Sequence, residues 1–315
     1  MKSLRKRKTR LLSRLRPSQL ELLAAMERTE TLSAAAREVN LTQPAASRLL
    51  RTLASDLNIG LFERVGRTLK PTAAGRTLVR RAAGLIADID RTQQELEAID
   101  GGLIGAASIG AGVSSCYVIV PRALNLLLTE APRINVTVRE GPMDELLTRL
   151  HTGHIDILVG RFSSHVQNAD IVTQELYRPV VRAVCGPDHP LAKKRATRWN
   201  DLMVYPWILP ENGTAMRSAA ETLFRKQRCR PERCLVESSS IQTNVALMNG
   251  SDLIWLLSAD VAEYFYKLGA LRILNVPPQA APGAFVMAHL RGRGLSPAAQ
   301  RLSDCLVKAA AESHT

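Results

Sequence analysis

The chain of 315 residues is long enough for two domains or one large one, and at 46% hydrophobic and 23% charged it has the composition of a soluble globular protein, not a fibrous or low-complexity one. Lys and Arg outnumber Asp and Glu by 42 to 29, a formal charge of +13 that favours a polyanionic partner. Residues 1–100 hold nineteen basic and eleven acidic side chains, so +8 of the excess sits in the first third, the part expected to meet nucleic acid.

The opening MKSLRKRKTRLLSRLR carries eight Lys or Arg and no acid, and no apolar run of seven residues follows it. Residues 1–16 are therefore expected to be a solvated basic tail, not a secretory signal. No stretch approaches 18 apolar residues, so no membrane span is expected. The five cysteines are odd in number and mostly scattered, which suits a reducing compartment.

PSQLELLAAMER predicts a helix opening at Pro17 or Ser18, with Leu20, Leu23, Ala24 and Glu27 at helical spacing. LSAAAREV predicts a short second helix with Ser33 as its N-cap, and Asn40 and Leu41 make the following turn. Thr42 is the expected cap of a third helix, with Pro44 in its first turn, where a missing N–H costs nothing. Ala46, Leu50, Leu53 and Leu57 recur along that helix at 4, 3, 4 spacing and form its buried stripe, leaving Gln43, Pro44, Ser47, Arg48 and Arg51 outside. Asn58 suits a left-handed C-cap, and LFERVGRTLKPT, alternating about Val65-Gly66-Arg67, reads as a small hairpin or wing. Thr72 then caps a helix of about 28 residues closed by Gly101 and Gly102. Its Leu78, Ala82, Leu85, Ile89, Thr92, Leu96 and Ile99 form a heptad seam broken only at Thr92, and such a seam looks for a partner helix.

From residue 103 strands alternate with helices, as in a parallel sheet with crossover connections. Strands are expected at AASIGAG, INVTVRE and IDILVGRF, with helices from Cys116 to Leu128 and over MDELLTRLHTG. IVTQEL and PVVRAVCGPDHP read as strands of a second α/β unit. PWILPEN, a helix from Thr214 to Arg228, CLVES, a helix from Ser240 to Asn249 and LIWLLS continue that unit. LRILNV and AFVMAHL are late strands and SPAAQRLSDCLVKAAAES a terminal helix. Two such units joined twice make a two-lobed shape with a cleft.

A helix, a tight turn and a second helix with a polar and basic outer face suit the DNA major groove, where Gln pairs with adenine, Arg with guanine, and Ser contacts phosphate. Gln43, Ser47, Arg48 and Arg51 are the expected readers, with Arg64, Arg67 and Lys70 of the hairpin beside them. The segment LSAAAREVNLTQPAASRLLRTLASDLNIGLFERVGRTLKPTAAG resembles, nearly position by position, the winged helix-turn-helix of the LysR-type transcriptional regulators. VIVPRALNLLLTEAPRINVTVREG and LLTRLHTGHIDILVGRF are similar to hallmark segments of that family's effector domain, so the resemblance runs from about Arg16 onward.

The resemblance implies an α/β protein with an N-terminal winged helix-turn-helix (17–72), a long linker helix (73–102) and a two-lobed, periplasmic-binding-protein-like effector domain (103–315). Within that domain lobe 1 would take 103–162 and 268–315, and lobe 2 163–267. It implies no enzyme and no cofactor but a bacterial cytoplasmic, nucleoid-associated transcription factor. The partners are promoter DNA, a small-molecule effector such as a carboxylate or sugar, a second copy through the linker helix within a homotetramer, and RNA polymerase, with no membrane. The DNA-binding residues would be Ser33, Thr42, Gln43, Pro44, Ser47, Arg48, Arg51, Arg64 and Arg67. Two departures stand out: Asn58 where Gly is common, and Leu49 where a polar residue is usual, leaving an apolar group near the groove.

The effector cleft is argued from helix starts, whose free N–H groups attract anions. Candidates are Ser114 and Ser115, then Asn212, Gly213 and Thr214, then Ser238, Ser239 and Ser240, each also an ordinary capping cluster. The resemblance puts these loops around the cleft, with Arg161 and Phe162 between the lobes. An Arg at the end of a buried strand is costly unless paired, and a ligand carboxylate would pair with Arg161 bidentately; the alternative is an internal salt bridge to Glu211 or Glu237.

Two other readings compete with this one. Cys229 and Cys234 stand among Arg225, Lys226, Arg228, Arg230 and Arg233, charges that would lower thiol pKa and suit a redox-responsive regulator. The peroxide-sensing OxyR members of the family, however, carry their reactive Cys where Thr214 to Arg217 stand here. An effector-independent DNA-binding protein is the other alternative. For an enzyme the chain shows no Gly-rich phosphate loop, no nucleophile elbow and no His cluster; His151 and His154 flank Gly153 at a helix end, where the helix dipole accounts for them.

Overall fold

Helix α1 (Pro17–Arg28) begins where Pro17 presets φ, and Gln19 folds back so that its side chain accepts the Arg16 amide at 2.9 Å. In the computed structural model, which describes residues 14–29, 31–65, 68–100, 105–162, 170–212, 214–281 and 283–312, the chain divides into two compact units. One is Met1–Ala106 with Thr148–Ile155, the other Ala107–Leu147 with Asp156–Thr315.

In the first unit α1 is followed by α2 (Leu32–Glu38) and α3 (Gln43–Leu57). Leu22, Leu23, Ala35, Ala46, Leu50 and Leu53 form the core between them. The cap of α2 is Thr31, not Ser33, because the Thr31 hydroxyl accepts the Ala34 amide and its carbonyl the amides of Ala34 and Ala35; Ser33 falls inside the first turn. Thr42 holds the N-cap position of α3, but its hydroxyl makes no capping bond; its carbonyl takes the Ala46 amide instead. Asn58 ends α3 in the left-handed conformation, φ 52° and ψ 42°, with the Ile59 amide returning to the Ala54 carbonyl.

Strands β1 (Phe62–Val65) and β2 (Thr68–Pro71) pair antiparallel about residues 66 and 67, so the expected turn residue Arg67 lies outside the described residues. Helix α4 (Ala73–Asp100) packs its early turns on α1, burying Val79, Ala82, Ala83 and Ala87, while Leu85, Ile89 and Leu96 of the seam stand exposed. Gly101 and Gly102, the expected stop of this helix, lie outside the described residues.

The second unit holds two mixed sheets. Strand β3 (Gly105–Ala111), a 3-10 turn (Val113–Cys116), α5 (Ile119–Glu130), β4 (Ile134–Glu140), α6 (Met143–His151), β5 (Ile157–Arg161) and β6 (Ile171–Tyr177) come first. Strand β7 (Val180–Cys185), α7 (Trp199–Met203), β8 (Pro206–Leu209), α8 (Ala215–Lys226) and β9 (Arg233–Glu237) follow. Helix α9 (Ile241–Met248), β10 (Ile254–Ser258), α10 (Ala259–Lys267), β11 (Arg272–Ile273), β12 (Gln279–Ala280), β13 (Phe285–Leu290) and α11 (Pro297–Glu312) complete the chain.

One sheet runs β4-β3-β5-β13-β6 and is covered by α5 and α11; the other runs β11-β7-β10-β8-β9, with β12 also on β7. Both sheets are mixed instead of parallel, since β13 runs antiparallel to β5 and β6, and β7 antiparallel to β10. The lobes are divided differently from the expected 163–267 and 268–315. Ile171–Tyr177 pairs with β13 and so adds a strand to the first sheet, while β11 and β12 pair with β7 of the second. The chain crosses at Arg178 and Pro179 and returns between β12 and β13, and the two crossings touch where the Ala281 amide bonds the Pro179 carbonyl at 3.1 Å. Arg161 thus ends a strand of the first lobe, with Phe162 directly after it, and neither is the crossing itself.

Candidate functional site

The face of α3 opposite its buried stripe carries Gln43, Ser47 and Arg51 one turn apart, and the Arg51 guanidinium folds back on the Ser47 carbonyl at 3.4 Å. These three line a cavity of about 580 Å³ together with Ser33 of α2 and Arg64 of β1. The start of α2, the outer face of α3 and the β1–β2 hairpin therefore meet at one cavity, where these polar groups stand beside Leu50, Phe62 and Leu69. Pro44 and Arg48 stand exposed on the neighbouring ridge of α3. Leu49 does not reach that surface: it packs partly against the core, and its carbonyl accepts the Gln19 side-chain amide at 3.4 Å. The wing is tied down by Thr72, whose hydroxyl donates to the carbonyls of Gly60 (2.7 Å) and Leu61 (3.1 Å) and accepts the Gly75 amide at 3.2 Å, capping α4.

In the second unit a cavity of about 830 Å³ opens between the lobes and brings together Ser114, Ser115, Arg161, Phe162 and Thr214. Ser115 is fully buried and its hydroxyl donates to the Val159 carbonyl at 3.3 Å, which fixes the 3-10 turn against β5. A Cβ on Gly160 would lie 2.6 Å from the Met143 sulfur, so glycine is what lets that thioether form the cavity floor. Thr214 caps α8 by accepting the Arg217 amide at 3.1 Å while donating to the Glu211 carbonyl at 2.8 Å.

Arg161 is half-buried in the wall of the cavity. Its guanidinium meets the Met216 sulfur at 3.0 Å and lies 4.8 Å from the Phe285 ring centre. Burial pulls its pKa below the ordinary arginine value, against the attraction of Asp260 and Tyr177, but a guanidinium keeps its charge. Among the described residues no carboxylate bonds it. Glu237 is taken by Arg217 at 2.9 Å and by Asn212, and Glu211 supplies only its carbonyl to Thr214, so neither expected internal salt bridge forms. Phe285 lies between Arg161 and Tyr177 in the sheet register and stacks on Tyr177 at 4.7 Å; the Tyr177 hydroxyl donates to Asp260 of the other lobe at 2.7 Å. Burial and the Asp260 carboxylate push that phenol well above its usual pKa.

Asn212, Ser239 and Ser240 do not line the cavity: Asn212 donates to Glu237, and Ser240 caps α9 by accepting the Thr243 amide, so both are used locally. Gly213 lies outside the described residues. Sequence reasoning missed Met143, Arg178, Met216 and Phe285, which also line the cavity; the dipeptide Arg178-Pro179 after a strand was the available signal for a crossing. Cys229 and Cys234 are both free thiols; Cys234 is exposed, but burial raises the Cys229 thiol where neighbouring arginines were expected to lower it. His154 is engaged by the Thr152 hydroxyl at 2.9 Å. Among the described residues no helix is long and apolar enough to cross a membrane.

The sequence matches two family models: the bacterial regulatory helix-turn-helix protein of the lysR family over residues 17–76, and the LysR substrate binding domain over residues 100–311. It is 29% identical over 291 residues to the HTH-type transcriptional regulator GbpR of Azospirillum brasilense, covering 92% of this chain and 85% of that one. Its fold is similar to a point variant of full-length OxyR from Pseudomonas aeruginosa (TM-score 0.62, 18% identity, 94% of each chain). It is also similar to full-length CbnR in complex with its target DNA (TM-score 0.61, 19% identity, 94% of this chain and 100% of that one).

Proposed function

Matched by two models of the family over most of its length, the chain belongs to the LysR-type transcriptional regulators, and from that premise we propose how its two cavities divide the work. It is a DNA-binding regulator, not an enzyme, with a substrate-binding domain for a small-molecule effector. In the proposed reading, α3 enters the major groove with Gln43, Ser47, Arg48 and Arg51 toward the bases and phosphates, and Arg64 of the wing lies on the adjacent backbone. The effector is a small carboxylate in the interlobe cavity, and its binding alters promoter occupancy or activation, with RNA polymerase the further partner.

The observation that carries the effector assignment is Arg161: a half-buried guanidinium with no carboxylate partner among the described residues, lining the cavity. Leu85, Ile89 and Leu96 form the exposed stripe through which the linker helices would pair, as a first step toward a tetramer.

Fluorescence anisotropy on DNA from upstream of the protein's own gene, at two salt concentrations, tests the DNA half. Affinity should fall linearly in log–log with salt and prefer the cognate sequence; salt-insensitive or unselective binding overturns it. If Arg48 reads a guanine, Arg48→Ala should cost about 1–3 kcal/mol of discrimination at one base step, whereas equal loss on all sequences would make it a phosphate contact.

A further inference from the structure

Most polar atoms around the interlobe cavity are already committed to the protein itself. The Val159 carbonyl takes both the Gly112 amide at 2.9 Å and the Ser115 hydroxyl at 3.3 Å, and the Gly112 carbonyl takes the Ser115 amide at 2.8 Å. The Thr214 hydroxyl is used twice, as donor to the Glu211 carbonyl and as acceptor of the Arg217 amide. Arg178 is held by Glu175 through two bonds of 2.8 Å, and Gly160 pairs with Val286 in the sheet. Among the described lining residues this leaves the Ser114 hydroxyl and the Arg161 guanidinium, whose hydrogen bond goes to the weak Met216 acceptor. Met216 is the second residue of α8, so the first amides of that helix, which have no partner within it, open beside Arg161.

The rest of the lining is apolar: Val113, Met143, Phe162, Met216, Ala284 and Phe285. The Met143 sulfur is pressed onto two glycines, since a Cβ on Gly160 would lie 2.6 Å from it and one on Gly112 3.2 Å, so a thioether covers the backbone of the floor. Thioethers and rings are polarizable surfaces that favour hydrocarbon and offer a hydroxyl no strong partner. A single ligand carboxylate is matched at Arg161. A second anionic group would meet no further unengaged cation among the described lining residues, and hydroxyls along the ligand body would be desolvated without partners, which an apolar site can penalise by about 100-fold. Resting on the assignment of this cavity to the effector, we propose that the effector is a monocarboxylate with an apolar, hydroxyl-free body. Its head lies between Arg161 and the start of α8, and its body lies against Met143, Phe162 and Phe285. Sugar acids and phosphorylated acids are the classes this lining rejects.

Calorimetric titration of the full chain with two pairs of acids, each matched in carbon skeleton, tests this: cyclohexanecarboxylate against quinate, and hexanoate against gluconate, with cyclohexanecarboxamide as the uncharged control. At least one apolar acid should bind tenfold or more tighter than its hydroxylated partner and than the amide. Met143→Gln, which keeps the length of the side chain but makes its end polar, should narrow that preference several-fold, and Phe162→Ser serves in its place if Met143→Gln does not fold. Arg161→Met should abolish binding of the acid. Equal or tighter binding of quinate or gluconate, lost in Arg161→Met, would overturn the apolar class while leaving the carboxylate site standing; so would an apolar preference unchanged in both Met143→Gln and Phe162→Ser. Binding of no acid, amide binding as tight as the acid's, or acid binding unchanged in Arg161→Met would overturn the carboxylate site itself, and the apolar class with it.

Discussion

Replacing Arg161 by methionine should make the effector domain more stable while making it deaf to acids. Desolvating a cation costs several kcal/mol, and the Phe285 face returns only about 0.5–2 kcal/mol of it. The Met216 sulfur is a weak acceptor and Asp260 acts from a distance, with Tyr177 and Phe285 between. An unbranched apolar side chain of similar length keeps the packing on Phe285 and removes the desolvation cost. The net gain is about 1–2 kcal/mol, or about 2–8 °C in Tm for a unit of this size. Trp199, Trp207 and Trp255, the three tryptophans of the chain, all belong to the second lobe, so a tryptophan-fluorescence melt of the full protein reports this unit without the DNA-binding one. The same melt repeated with a panel of small carboxylates and neutral sugars reads ligand binding by mass action. The wild type should shift with at least one acid and the variant with none. A fall in Tm on Arg161→Met would show that the guanidinium is an integral part of the fold and refute the reasoning; retained acid shifts would move the anion to the loops at Ser114 and Thr214.

In the DNA-binding unit, a Cβ at Gly75 would sit 1.9 Å from the Leu61 carbonyl oxygen, which already accepts both the amide and the hydroxyl of Thr72. Gly75→Ala should cost about 2–4 kcal/mol from overpacking and two displaced hydrogen bonds, with operator binding lost in the same anisotropy assay. Gly84→Ala on the same helix meets nothing within 4 Å and should instead stabilise by about 0.5–1 kcal/mol; equal effects of the two by calorimetry would contradict the geometry. Glu at Leu85 and Ile89 should convert dimers to monomers in sedimentation without loss of helix by circular dichroism, since both side chains are exposed in the isolated chain. Iodoacetamide at pH 8 should alkylate exposed Cys234 and spare Cys116 and Cys185, whose thiols burial pushes up to about 12, leaving about one thiolate in ten thousand. Modification of Cys116 as fast as Cys234 would refute that burial.

Helix α3 is legible in the sequence because its information is local: a 4, 3, 4 apolar stripe defines which face is dry and therefore which residues stand outside it. The cap of α2 is less legible because Thr31 and Ser33 are equally good caps chemically; the choice falls to Thr31 because its carbonyl takes the first two amides of the helix. Sheet membership of Ile171–Tyr177 depends on pairing with Phe285–Leu290, more than a hundred residues away, and no local pattern encodes such a partner. Helix α10 follows β10 with no Gly or Pro between them, so the apolar run hides its start.

Among the cavity residues, success and failure separate on one physical property. Asn212 and Ser240 stand out in the sequence as polar groups at helix starts, yet each finds its partner within its own lobe, Glu237 for one and the Thr243 amide for the other, and neither lines the cavity. Arg161 stands out because a strand end supplies nothing that can neutralise a guanidinium, and the folded chain indeed brings it a thioether and a ring in place of a carboxylate. Asp260 Oδ1 belongs to the same class, a buried acceptor to which none of the described residues donates. Folding selects against such groups, since each costs on the order of 1–3 kcal/mol when left unpaired. Where a chain keeps a cation in that state at the wall of a cavity, an anionic ligand is the simplest partner for it.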